Sequence, residues 1–121
     1  LFPEYAFRSG RSIGLLPPDR NQEQQENVMK AKWHNVTLAE SFDTLVVDGF
    51  HYFPRKALND EFFQDSESHI IFPRKGKANY YDVVVHGERN KDAAWYYPEP
   101  RDEAKQVKGY VGFSKAVDII P

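Results

Sequence analysis

The sequence predicts a mainly β domain of compact, partly closed antiparallel sheets with two short helices. Three observations lead there. From Met29 onward apolar and polar residues alternate with period two, the spacing of a half-buried strand. Turn signals interrupt that alternation every few residues, among them His34-Asn35, Asp48-Gly49 and His86-Gly87. Tyr and Phe dominate the 15% aromatic content, and such rings favour pleated surfaces.

Residues 1–28 stand apart from this pattern. They hold Arg8-Ser9-Gly10-Arg11, Pro17-Pro18-Asp19-Arg20 and a polar run from Asn21 to Asn27. The stretch reads as an N-terminal extension, flexible or swapped, or as an artefact of the start site. Its aromatics Phe2, Tyr5 and Phe7 are suited to docking on the domain or on a second copy, which makes a homo-oligomer an expectation. Residues 29–121 then form a single β domain.

Within that domain, Ala31 and Trp33 alternate with Lys30 and Lys32 in a first strand closed by His34-Asn35. Val36 to Glu40 forms the second and Thr44 to Val47 the third. Asp48-Gly49 turns the chain, since Gly takes the positive φ that a tight hairpin requires. His51-Tyr52-Phe53 pairs back and Pro54 ends it. In Arg55–Gln64, Leu58 and Phe62 lie four apart among polar residues, the spacing of a short amphipathic helix. Asp65-Ser66-Glu67-Ser68 reads as a polar turn, His69 to Phe72 as a strand, and Pro73 to Lys77 as a basic loop. Asn79 to Val85 is the longest clean strand, with Tyr81, Val83 and Val85 on one face. Trp95 to Tyr97 is another, stopped by Pro98. A second short helix spans Arg101 to Lys108, with acidic residues at its start and lysines at its end as the helix dipole prefers. Tyr110–Phe113 and Val117–Ile120 supply the last strands.

Charge and composition narrow the function. A net charge of −2 and a pI near 6.1 disfavour a nucleic-acid binder, which is usually strongly basic. With no cysteine there is no disulfide, no thiol nucleophile and no cysteine-held zinc, a composition that fits a cytoplasmic protein. No apolar run approaches the roughly 18 residues of a membrane span.

The chemical motifs are sparse. His34, His51, His69 and His86 never form His-x-His or His-x-x-x-His, so neither metal nor cofactor is expected. Arg74-Lys75-Gly76-Lys77 offers donors to a phosphate, but there is no Gly-x-x-x-x-Gly-Lys-Ser/Thr, and Asp82 has no Asp-x-Asp companion for Mg²⁺. No serine sits in a Gly-x-Ser-x-Gly elbow. What remains is aromatic. Three consecutive rings, Trp95, Tyr96 and Tyr97, cannot share one face of a strand. With Tyr52, Tyr80 and Tyr81 they are too many for a single core.

Trp33, Leu38-Ala39-Glu40-Ser41, His51-Tyr52-Phe53-Pro54, Lys75-Gly76, Tyr80-Tyr81-Asp82-Val83, Ala93-Ala94-Trp95-Tyr96-Tyr97-Pro98 and Gly109-Tyr110-Val111-Gly112-Phe113 occur in an order and spacing that resembles a bacterial family, domain of unknown function 427, also named for nucleotidyl transfer. The resemblance runs over residues 29–121. It implies a β-tent, two small sheets leaning together, and brings no established substrate or mechanism. Two stretches depart from it. Phe72-Pro73-Arg74-Lys75-Gly76 stands where members often carry Cys-Pro-Trp-Lys-Gly, and Phe113-Ser114-Lys115-Ala116 where many have Phe-Trp-(Lys/Arg)-Gly.

The leading expectation is a small ligand-binding domain whose aromatic, basic-rimmed cleft holds an anionic or planar ligand. His51, Tyr52, Arg74, Lys75, Tyr80, Tyr81, Trp95 and Tyr96 are its candidate binding residues, and no catalytic residue is assigned. A nucleotide-using enzyme and a structural or interaction domain are the alternatives. Neither nucleic acid nor membrane is expected as a partner.

Overall fold

A computed structural model describes residues 28–121 and, ahead of them, two strand segments of two residues each, β1 (Glu4–Tyr5) and β2 (Phe7–Arg8). The docking expected of the N-terminal aromatics lies outside the described residues. Strands β3 (Met29–Trp33), β4 (Val36–Ser41), β5 (Leu45–Val47), β6 (Phe50–Pro54), β7 (Phe63–Phe72), β8 (Gly76–Val85), β9 (Glu88–Tyr96), β10 (Tyr110–Phe113) and β11 (Asp118–Ile120) follow in order. They form a six-stranded sheet, β5-β6-β10-β9-β8-β7, and a three-stranded sheet, β11-β3-β4. Every pairing within these two sheets is antiparallel, and neither closes into a barrel.

The expected turns form where the sequence marks them. Asp48-Gly49 has φ of 55° and 82° and joins Val47 to Phe50; His86-Gly87 has 51° and 79° and joins Val85 to Glu88. These left-handed pairs match the right-handed twist of the strands they connect.

The six-stranded sheet is covered on both faces, and this explains the aromatic doublets. On one face Phe53, Tyr81, Val83, Val85, Ala94, Val111 and Phe113 meet Ala31, Leu38 and Ala39 of the smaller sheet. On the other, Tyr52, Ala78 and Tyr97 pack with Ala104 and Val107, which bring Phe50, Phe72, Tyr80, Trp95 and Tyr110 around them. Alternation therefore sends Tyr52 and Phe53, Tyr80 and Tyr81, and Trp95 and Tyr96 to opposite sides.

Three details differ from the sequence reading. Arg55–Gln64 is not one helix but two 3₁₀ turns, Arg55–Ala57 and Asp60–Phe62. Leu58, between them, is extended and pairs with Ala39, and the Asn59 N–H donates to the Leu38 carbonyl at 2.8 Å. That pairing to the smaller sheet takes the place of a helical ladder, while Leu58 is still buried as its apolar character requires. Asp102–Val107 is likewise 3₁₀, burying Ala104 and Val107 three apart. The strands are also longer than the alternation indicates: Asp65–Ser68 is a detour inside β7, and β9 begins at Glu88 rather than Trp95.

Both interruptions are two-residue detours. Residues 66–68 of β7 face only Tyr80 of β8, between the pairs Asp65–Tyr81 and His69–Asn79. Residues 91–93 of β9 face only Asp82, between the pairs Val83–Asn90 and Tyr81–Ala94. Asp82, nearly fully buried, accepts the Asp92 N–H at 2.8 Å and the Arg89 guanidinium at 2.8 Å. The Ser66 hydroxyl donates to Asp92 at 2.5 Å, tying the two detours together.

Candidate functional site

Register builds the site. Leu45 lies opposite Tyr52, Tyr52 opposite Gly112, Gly112 opposite Trp95, and Trp95 opposite Tyr80. One row of side chains thus crosses five strands on a single face. Gly112 leaves the space its neighbours need: a Cβ there would stand 2.8 Å from the Tyr52 ring and 2.9 Å from the Trp95 indole. Small residues in a strand permit such close approach.

Phe50, Tyr52, Phe72, Tyr80, Trp95 and Tyr97 line a cavity of about 270 Å³, with Asp48 and Lys75 at its edge. The indole N–H of Trp95 donates to the Tyr52 hydroxyl at 3.1 Å. Phe50 and Tyr52 both meet Trp95 edge-on, with centroids 5.1 and 6.2 Å away, and Tyr80 lies tilted at 6.2 Å. Edge-to-face pairs of this kind contribute about 0.5–1.5 kcal/mol each beyond burial, so the walls are set before any ligand arrives.

Two hairpin tips from opposite edges of the sheet meet at the rim. Lys75, in the β7–β8 turn, places Nζ 2.9 Å from Asp48 Oδ2 in the β5–β6 turn, and 5.9 Å from the Phe72 ring centre. The Asp48 hydrogen bond outweighs partial burial and raises the Lys75 pKa, so the ammonium stays charged. Lys115 donates to the Gly49 carbonyl at 2.8 Å and lies 5.1 Å from the Phe50 ring centre. Burial, followed by the neighbouring Tyr52, pushes the Tyr97 hydroxyl up to about 12; burial and then Asp92 raise that of Tyr80. Both phenols remain hydrogen-bond donors at neutral pH.

Of the eight residues singled out from sequence, Tyr52, Lys75, Tyr80 and Trp95 meet in this cavity. Tyr81 and Tyr96 are on the other face, stacked 5.0 Å apart with planes 23° from parallel, and line a different cavity. Arg74 pairs with Glu103 at 3.2 Å in a shallow polar depression. His51 alternates to the face away from Tyr52 and lines none of the described cavities. Sequence reasoning missed Asp48, Phe50 and Phe72, and counted Tyr97 in the aromatic cluster without making it a candidate binding residue. Phe50 was within reach, being two residues from Tyr52 on the same strand face, but the pairing of Asp48 with Lys75 depends on sheet curvature that no local signal carries.

Metal chemistry finds no cluster to work with: among the described residues, no group of three His, Asp or Glu side chains is placed to hold an ion. Three carboxylates near the basic turn are engaged with cations, Asp48 with Lys75, Glu103 with Arg74 and Asp102 with Lys105. No helix among the described residues is long and apolar enough to cross a membrane.

No curated protein matches the chain. A family model does match, over residues 21–120, beginning inside the stretch read from sequence as an extension. That match covers most of the chain, and the protein belongs to the family described as domain of unknown function DUF427.

Proposed function

We propose that this domain is a small-ligand-binding module, with its site in the cavity lined by Tyr52, Tyr80, Trp95 and Tyr97. The observation that carries the proposal is the convergence of six aromatic side chains on one cavity with a charged pair at its rim. A flat ligand gains stacking against these rings, and the Tyr80 hydroxyl is a donor for its polar edge. An anionic group on the ligand is drawn to Lys75, which exchanges Asp48 for the ligand through charge-assisted hydrogen bonds. No catalytic role is assigned to any residue. The cysteine-free sequence supports placing the module in a reducing cytoplasm.

Fluorescence of Trp95 tests this reading. Adenosine monophosphate and smaller aromatic acids are titrated into the protein, with and without Mg²⁺. At least one is expected to quench the indole saturably, and Lys75→Met to weaken that ligand about tenfold, a loss of about 1.4 kcal/mol. Trp95→Phe keeps the ring packing while removing the signal, which assigns the quench to this indole rather than to Trp33. Binding that depends on Mg²⁺ points instead to the nucleotide-using enzyme. If Trp95→Ala abolishes folding and no compound quenches the parent, the rings are core alone and the proposal fails.

A further inference from the structure

A second cavity, of about 290 Å³, shares only Tyr97 with the first. Its construction follows from the pairing of β6 with β10. Pro54 lies opposite Tyr110, and one residue further on the Arg55 N–H donates to the Gly109 carbonyl at 2.9 Å. Arg55, just past the end of β6, and Lys108, just ahead of β10, therefore arrive at the same rim. Beneath them lie the stacked rings of Tyr81 and Tyr96, with Tyr110 alongside.

The guanidinium is held in place. Its Nε donates to the Tyr81 hydroxyl at 3.3 Å and its Nη1 to Asp60 at 2.7 Å, and its charged centre lies 5.6 Å from the Tyr81 ring centre. The Nη2 donors have no hydrogen-bond partner among the described residues. Lys108 is exposed, and no carboxylate of the described residues pairs with it. Two cations therefore line this rim, and among the described residues Asp60 is the one carboxylate bonded to either of them.

We infer that the cavity between Arg55, Lys108 and the Tyr81–Tyr96 pair is a second ligand site, for a small aromatic molecule carrying a carboxylate or phosphate. The ring lies against the tyrosines, and the oxyanion takes the open Nη2 edge of Arg55 together with Lys108. A guanidinium already aligned by Tyr81 and Asp60 presents its remaining donors in a fixed plane, so little side-chain freedom is lost on binding.

Chemical-shift titration of the isotope-labelled chain tests the site, because the Arg55 Nε–H and the Val111 amide report on it and the Trp95 indole N–H reports on the other cavity. Phenyl phosphate and benzoate are the probes, with phenol and inorganic phosphate as controls. Arg55 and Val111 are expected to shift saturably with at least one probe, and each control to bind at least about tenfold more weakly. Whichever probe binds more tightly identifies the oxyanion. Lys108→Glu, an exposed change that leaves the core untouched, is expected to weaken the probe at least about tenfold, and Arg55→Lys to weaken it by removing the planar fork. The proposal is overturned if neither probe binds saturably, if Lys108→Glu leaves affinity unchanged, if inorganic phosphate binds as tightly as phenyl phosphate, or if the shifts centre on Trp95.

Discussion

Burial holds the Tyr97 hydroxyl neutral far into alkaline solution, with Tyr52 and Tyr80 reinforcing it, and its pKa stands at about 12 against 10.0 for a free phenol. The folded chain binds this proton more tightly than the unfolded chain. The resulting stability is fully present below about pH 10 and is lost as the pH rises towards 12. Tyr97→Phe is expected to flatten the alkaline limb of a Tm–pH profile and to remove the last phenolate to appear in an absorbance titration. Asp82 has the opposite sign. Burial works against its charge, but the Asp92 N–H and Arg89 more than compensate and hold its pKa below the usual value of 3.8. Its contribution is therefore complete above about pH 4 and is lost as the pH falls through the lower, folded-state pKa. Asp82→Asn should lose that acid dependence and cost about 1–3 kcal/mol in denaturant unfolding, because a charged acceptor of two hydrogen bonds is replaced. Gly112→Ala should cost about 1–3 kcal/mol by overpacking Tyr52 and Trp95, and should change the Trp95 emission; an unchanged melting curve would contradict the close approach.

The elements were legible to different degrees, and the reasons are physical. Tight hairpins such as Asp48-Gly49 were clear because the positive φ they need is written into residue type. The face of β8 was clear because Tyr81, Val83 and Val85 are apolar at strict period two. The Arg55–Gln64 stretch misled because Leu58 and Phe62 bury equally well from helical spacing and from two 3₁₀ turns, and only the partner strand decides. Asp65–Ser68 looked like a turn because a detour uses the same small polar residues. The site divides along the same line. Tyr52, Tyr80 and Trp95 come together through register, but the Asp48–Lys75 contact between hairpin tips is a tertiary fact. Since Asp48 is largely exposed, Lys75→Met is expected to cost under about 1 kcal/mol of stability, so its effect on binding can be read without unfolding the domain.

For the molecule as a whole, a sheet covered on both faces has its outer strands as remaining boundaries, and among the described residues β7 is one of them. Ile70 and Ile71 are exposed there, Ile71 at 67%. An exposed apolar outer strand favours association between molecules, so Ile71→Lys is expected to reduce light scattering at high protein concentration with little change in Tm. Two-sided burial has a different consequence at the detours in β7 and β9. Each adds two residues, an even number, so inside and outside keep their parity from one end of the strand to the other. Deleting Lys91 alone would leave two residues opposite Asp82, the count of an ordinary bulge, with Ala94 still able to pair with Tyr81. Held by its pairs with Tyr80 and Gly112, Trp95 keeps its face, just as β4 absorbs the single extra residue Leu38 with Leu38 and Ala39 both buried. Length can therefore vary at such a detour while the aromatic row stays in place, because strand pairing rather than residue count assigns each ring its face.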